Sequence, residues 1–249
     1  IRLDFGVEDR RFRYDPENTG GESIKILLDR DALSYQARFR YALTPLTTAL
    51  VSAEAIEDTF RFAEPSRATT KSYRYMAGFE FGEKAVITGR FMGGLRDIPA
   101  ESAGSVAPKR GPAFQALIVA PFLQRFQLNA GYDRDIFYSA TAVVLEDQPT
   151  RNTYTYSRLR FNLDVDLPLF LVGRAIAGWQ SADYTLPFTL NGVPTPREDN
   201  IRELGLSLLR RIGRHARFGV TAIHTTRTST IPGADYSRWR IGLQGEFVP

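Results

Sequence analysis

The chain contains no cysteine. That excludes a disulfide framework, a thiolate metal site and a cysteine nucleophile. Histidine is nearly absent as well, with only His215 and His224. No pair of imidazoles with a carboxylate stands at zinc-binding spacing. His224 is followed by Thr225 and Thr226, so the His-x-Ser pattern of a lipid-facing esterase is missing. No window of about 18 apolar residues exists, which excludes a transmembrane helix. The longest uncharged stretches, Tyr41–Ala53 and Gly111–Gln124, are shorter and carry proline. Lysine is scarce too: Lys25, Lys71, Lys84 and Lys109 leave 28 of the 32 basic positions to arginine. No secretory leader is visible. The chain opens at Ile1 inside a strand-like pattern, "IRLDFGV", which reads as a mature form or a fragment whose N-terminus was removed.

What is present is alternation. In "YSRLRFNLDVDLPLF", Leu159, Phe161, Leu163, Val165 and Leu167 interleave with Arg158, Arg160, Asn162, Asp164 and Asp166. Period two is a β-strand with its faces in different media. Soluble strands usually run about 5–6 residues, whereas a strand crossing a bilayer needs about 9–11. The pattern returns in "YQARFRYAL", "SYRYMAGFEF", "FQLNAGYDRD" and "RWRIGLQGEF".

Turn formers divide the chain into about twelve strands. They are expected near 2–14, 33–44, 47–62, 70–82, 85–97, 112–122, 125–139, 152–167, 170–184, 200–211, 215–229 and 236–247. The best helical rival is "ALVSAEAIED" at 49–58. Connection lengths alternate. Short turns fall around Thr44–Thr47, Gly82–Ala85, Phe122–Arg125, Leu167–Phe170 and Arg211–His215. Longer polar loops fall at 15–32, 63–69, 98–111, 140–151, 185–199 and 230–235.

Short turns on one rim and long loops on the other define the expected fold. It is an all-β, antiparallel, up-and-down transmembrane β-barrel of one domain, 1–249, with short periplasmic turns and longer outer loops. A closed barrel is the only sheet that leaves no unpaired backbone in hydrocarbon. A mean hydropathy of −0.25 fits, because half of every strand is polar. Tyr35, Tyr41, Tyr73, Phe79, Phe81, Phe126, Tyr132, Trp179 and Trp239 fall on the apolar face, as interfacial girdles require.

The polar face is rich in arginine. Arg38, Arg40, Arg74, Arg90, Arg158, Arg160, Arg174, Arg217, Arg238 and Arg240 are the candidate lumen-lining, anion-binding residues, with Arg96 and Arg227 on the same face. Guanidinium groups are permanently charged and bind carboxylate or phosphate with a planar fork. An arginine-lined lumen favours anions such as acidic sugars. The alternative is that lumen carboxylates neutralise these arginines. A hairpin loop centred near Glu146–Asp147 would set Asp135 across from Arg158, and Asp133 across from Arg160.

No catalytic motif, metal set or cofactor motif stands out. The glycines of "GRFMGGLRD" lack the strand-to-helix context of a phosphate loop and read as relief of crowding in a strand. The arginines form no exposed patch for nucleic acid.

The last strand, "YSRWRIGLQGEF", resembles the C-terminal strand that outer-membrane barrels present to their insertion machinery, although Val248 and Pro249 follow the terminal Phe247. "RYALTPLTTALVSAEAIEDTFRF" and "SYRYMAGFEFGEKAVITGRFMGGLRD" resemble the β-barrel porin type 2 family of bacterial outer-membrane barrels. The resemblance implies an outer-membrane location, lipid and lipopolysaccharide as surroundings, and in some members a partnership with polysaccharide export. It also implies barrels often larger than twelve strands, of which N-terminal strands would be missing here. The expected function is a porin passing small polar or anionic solutes. The alternatives are an export partner, a structural barrel with a closed lumen, and a soluble lipocalin-like binder.

Overall fold

The computed structural model describes residues 1–13, 18–19, 22–23, 29–60, 69–82, 87–99, 106–145, 148–190, 193–213 and 216–247. Among the described residues there are sixteen strands: β1 (Arg2–Phe12), β2 (Asn18–Thr19), β3 (Glu22–Ser23), β4 (Arg30–Thr44), β5 (Thr47–Phe60), β6 (Thr69–Phe81), β7 (Thr88–Ile98), β8 (Lys109–Phe122), β9 (Phe126–Leu145), β10 (Gln148–Leu167), β11 (Leu171–Tyr184), β12 (Phe188–Leu190), β13 (Val193–Thr195), β14 (Glu198–Ile212), β15 (Ala216–Ser229) and β16 (Tyr236–Phe247). Twelve of them form a single sheet in chain order, β1-β4-β5-β6-β7-β8-β9-β10-β11-β14-β15-β16. Two small hairpins, β2–β3 and β12–β13, decorate the long connections.

All twelve expected strands are present, and each neighbouring pair is antiparallel. The helical rival at 49–58 lies inside β5. In place of the expected loop at 140–151, residues 140–145 and 148–151 are strand. β9 and β10 each run 20 residues, so this hairpin extends well past the expected ends at 139 and 152. Alternation stops near Ile136 because β9 leaves β8 there: its pairing to β8 ends at Arg134 while that to β10 continues.

The short turns share one rim. Gly82 N donates to Leu46 O at 2.9 Å, Asp166 N to Arg125 O at 2.8 Å and Arg211 N to Phe170 O at 2.8 Å. Two of these turns use left-handed backbone at consecutive non-glycine residues, Leu123–Gln124 and Leu169–Phe170. Paired positive φ values match the right-handed strand twist, and Asn-Gly is the usual solution.

The sheet is strongly curled. The Tyr138 hydroxyl of β9 donates to the Asp58 carboxylate of β5, across the three strands between them. Glycine permits this curl. A Cβ on Gly94 of β7 would lie 1.8 Å from the Tyr75 carbonyl oxygen, and one on Gly78 of β6 would lie 1.8 Å from that of Phe91. This agrees with the reading of the "GRFMGGLRD" glycines as relief of crowding.

The sheet is open: β1 and β16 are its edges and do not pair with each other. Phe5 is 76% exposed and Ile241 79% exposed. The order has an even number of strands, so the two edges run antiparallel.

Candidate functional site: the charged concave face

Register separates the two faces row by row. On one side of β10, Phe161 faces Ala130 and Ala177, Leu163 faces Leu128 and Ala175, and Val165 faces Phe126 and Gly173. The rows continue into β14, where Ala177, Ala175 and Gly173 face Leu204, Leu206 and Leu208. On the other side Arg158, Arg160, Asn162 and Asp164 oppose Asp133, Gly131, Asn129 and Gln127. The apolar side is convex and the charged side concave, as the contacts of Arg74 on β6 and Arg96 on β7 with Asp135 on β9 require.

All ten predicted arginines fall on the concave side by register, but they differ in company. Over β5–β9 the face is filled. Arg96 bonds Asp135 at 2.7 and 2.8 Å and Ser72 at 3.2 Å, and it approaches Glu54 at 3.4 Å. Arg74 sits 3.0 Å from Glu54 and 3.2 Å from Asp135. Next to this ladder, Leu50, Met76, Met92 and Ala113 form a buried apolar cluster on the same face. Gly78 and Gly94 lie beside it, where the neighbouring backbone at Met92 and Met76 comes too close for a Cβ. Arg40 and Arg90 share Glu80 at 3.6 and 3.7 Å, and Arg40 also reaches Asp4 at 3.4 Å.

A second cluster lies at the short-turn end. Arg174 grips Asp164 at 2.7 and 2.9 Å and also bonds Glu246. Arg217 stands 3.9 Å from Asp164 and 3.8 Å from Glu246. Toward the long-loop end, Asp199 takes Arg197 and Arg227, each at 3.1 Å, and Arg240 reaches Glu203 at 3.4 Å.

Four of the predicted arginines have no ion pair among the described residues: Arg38, Arg158, Arg160 and Arg238. Arg238 lies over the Tyr236 ring, 5.1 Å from its centre. The Nε of Arg38 is buried without a hydrogen-bond partner.

The expected register of the β9–β10 hairpin was off by two residues. Arg158 lies across from Asp133, Arg160 across from Gly131, and Asp135 across from Tyr156. Asp135 therefore belongs to the Arg96 network instead. The hairpin tip, Glu146–Asp147, lies outside the described residues. The register shifts between Arg151 and Thr153 accompany the longer strands.

His215 also lies outside the described residues. His224 is on the convex face, where its ring stacks on Trp239 with centroids 4.8 Å apart. Its Nε2 meets Ser237 Oγ at 2.8 Å. The serine that the local sequence lacks thus comes from the neighbouring strand, a contact only register could reveal. Among the described residues no carboxylate or amide holds Nδ1, so the pair has no third group to orient the ring. No group of three or more potential metal ligands gathers among the described residues.

Fold and face define a class: a twelve-stranded antiparallel curled sheet, apolar outside and charged inside. Compared with family models, curated proteins and solved structures, the chain matches none. The resemblance to type 2 porins therefore gains no support from these comparisons.

Proposed function

We propose that the chain is a bacterial outer-membrane β-barrel whose concave face lines a water-filled path for small polar or anionic solutes. The observation carrying this is the division of faces: continuous apolar rows on the convex side and guanidinium groups throughout the concave side. Exposed Leu, Phe, Val and Ile side chains in such rows are costly in water, because apolar contact with water costs about 25 cal/mol per Å². In hydrocarbon the same rows cost nothing, and only a closed sheet satisfies its own backbone there. The antiparallel edges β1 and β16 are oriented to meet. Arg38, Arg158, Arg160 and Arg238, unneutralised by carboxylates, are the residues that would attract anions.

A second reading, a structural barrel with a closed lumen, draws on the Arg96–Asp135–Glu54 ladder and the Leu50–Met92 cluster, which fill the concave face of β5–β9. In the porin reading, the path runs past β10–β16 instead. Partnership with a polysaccharide-export system rests on the resemblance alone.

Recording in planar bilayers tests the proposal. The purified protein is expected to give discrete conductance steps, with a reversal potential in a salt gradient that favours anions. Absence of steps from protein that has inserted would favour the closed barrel.

A further inference from the structure

We propose that the concave face carries, at mid-height, one binding station for small dicarboxylates, and that it selects them by length as well as by charge. The inference rests on the porin reading above and names the solute class of that same path.

Height sorts the concave arginines into layers. Near the short-turn end, Arg174 and Arg217 stand with Asp164 and Glu246, and Arg40 and Arg90 share Glu80. Near the long-loop end, Arg197 and Arg227 hold Asp199, Arg30 lies 3.7 Å from Asp58, and Arg10 bonds Glu8. The four concave arginines without an ion pair among the described residues stand between these layers. Arg38 is six residues from Thr44, the short-turn end of β4. Arg160 and Arg158 are seven and nine residues from Leu167 on β10, and Arg238 is nine from Phe247 on β16.

Carboxylates at this level are mostly taken. Arg74 and Arg96 share Glu54 and Asp135, and Arg240 reaches Glu203. Asp4, across from Arg38, is held by Arg2 and Arg40. Asp133 lies across from Arg158 and offsets the charge of that arginine. Arg38, Arg160 and Arg238 keep theirs. Arg160 is exposed, and its cross-strand neighbours are Gly131 and Gly178, so no side chain beside it covers the guanidinium.

Strand order sets these three around the lumen. β4 is second, β10 eighth and β16 twelfth in the sheet. In the closed barrel Arg38 and Arg160 therefore face each other from opposite walls, six strands apart either way. Twelve strands about 4.8 Å apart and tilted about 40° enclose a backbone radius of about 12 Å. Guanidinium groups reaching in from opposite walls leave a gap that a compact anion such as chloride or phosphate does not bridge. An anion with a carboxylate at each end meets both, each through the planar fork of a guanidinium.

Block of the chloride current in planar bilayers provides the test. The probes are malonate, succinate and adipate, which carry the same charge at neutral pH and differ in length. Adipate should block at a concentration lower than malonate by on the order of tenfold, the gain from one further charge-assisted contact. R38Q with R160Q should make the three probes equal. R160Q alone, at an exposed position, should narrow the difference. R174Q with E246Q, in the lower layer, should preserve it. Equal block by malonate and adipate, or a length preference that survives in R38Q with R160Q, would overturn the station and leave the porin reading standing. Inserted protein that conducts nothing would instead overturn the porin reading, and the station with it.

Discussion

Arg96 of β7 clasps both carboxylate oxygens of Asp135 on β9, at 2.7 and 2.8 Å, across the intervening strand β8. The contact is possible because β8 presents Gly111 opposite Arg96, so no side chain stands between them. The Arg96 side chain is 5% exposed and the Asp135 side chain 10%. The pair pins β5–β9 into a tight arc, and it also removes one carboxylate from the field of the open arginines.

R96L should therefore destabilise the folded protein by about 3 kcal/mol, the low end for breaking a buried pair, because Asp135 keeps only Arg74, at 3.2 Å, as its cation. Replacing both members by leucine should recover much of that loss. Urea titration of the refolded protein measures both. A single substitution within about 1 kcal/mol of wild type, a loss typical of an exposed ion pair, would show that the network is solvated.

The curl itself is testable at Gly94. G94A places a methyl 1.8 Å from the Tyr75 carbonyl oxygen, so the backbone must move. A loss of roughly 1–3 kcal/mol is expected, as for other overpacked sites. G242A, where nothing lies within 4 Å, should stay close to neutral.

Selectivity should follow the unpaired arginines. R158E with R160E should shift the reversal potential toward cations. R174Q with E246Q is expected to change it far less, because it removes one charge of each sign from a cluster that is already paired. The same recordings on both variants decide the matter, and identical potentials would remove Arg158 and Arg160 from the conducting path.

The proposed barrel, closed between β1 and β16, predicts a pattern of amide exchange. In a bilayer, amides of Leu3–Val7 and Trp239–Leu243 should be protected about as well as those of β10. Rapid exchange confined to these two strands would mean that the edges stay free.

The strand count, the face each arginine occupies and the separation of short and long connections were all legible in the sequence, because period-two alternation carries them directly. What escaped were quantities that depend on two strands at once. The partner of Asp135 could not be read from one strand, since the register of β9 against β10 turns on a hairpin longer than its composition suggested. Leu50, Met76 and Met92 were equally hidden. They occupy polar-face positions and look like breaks in the pattern until curvature at Gly78 and Gly94 brings them together. Ser237 approaching His224 is a third case, a pair on neighbouring strands that are 13 residues apart in the chain.

The central claim is that the two faces of this sheet meet different media, and Leu163 and Asn162 test it at adjacent positions. Leu163 lies on the convex side of β10, in the row of Leu206, midway between the levels of Arg202 and Arg210. Those arginines are eight residues apart on β14, about 26 Å along the strand, close to the height of a lipid-facing band. Folding of each variant into lipid vesicles, titrated with denaturant, is the decisive measurement. L163R should cost about 2–4 kcal/mol as a charge near the bilayer midplane, and N162R, facing the concave side, far less. Equal costs would show that both faces see the same solvent and would contradict the barrel in its membrane.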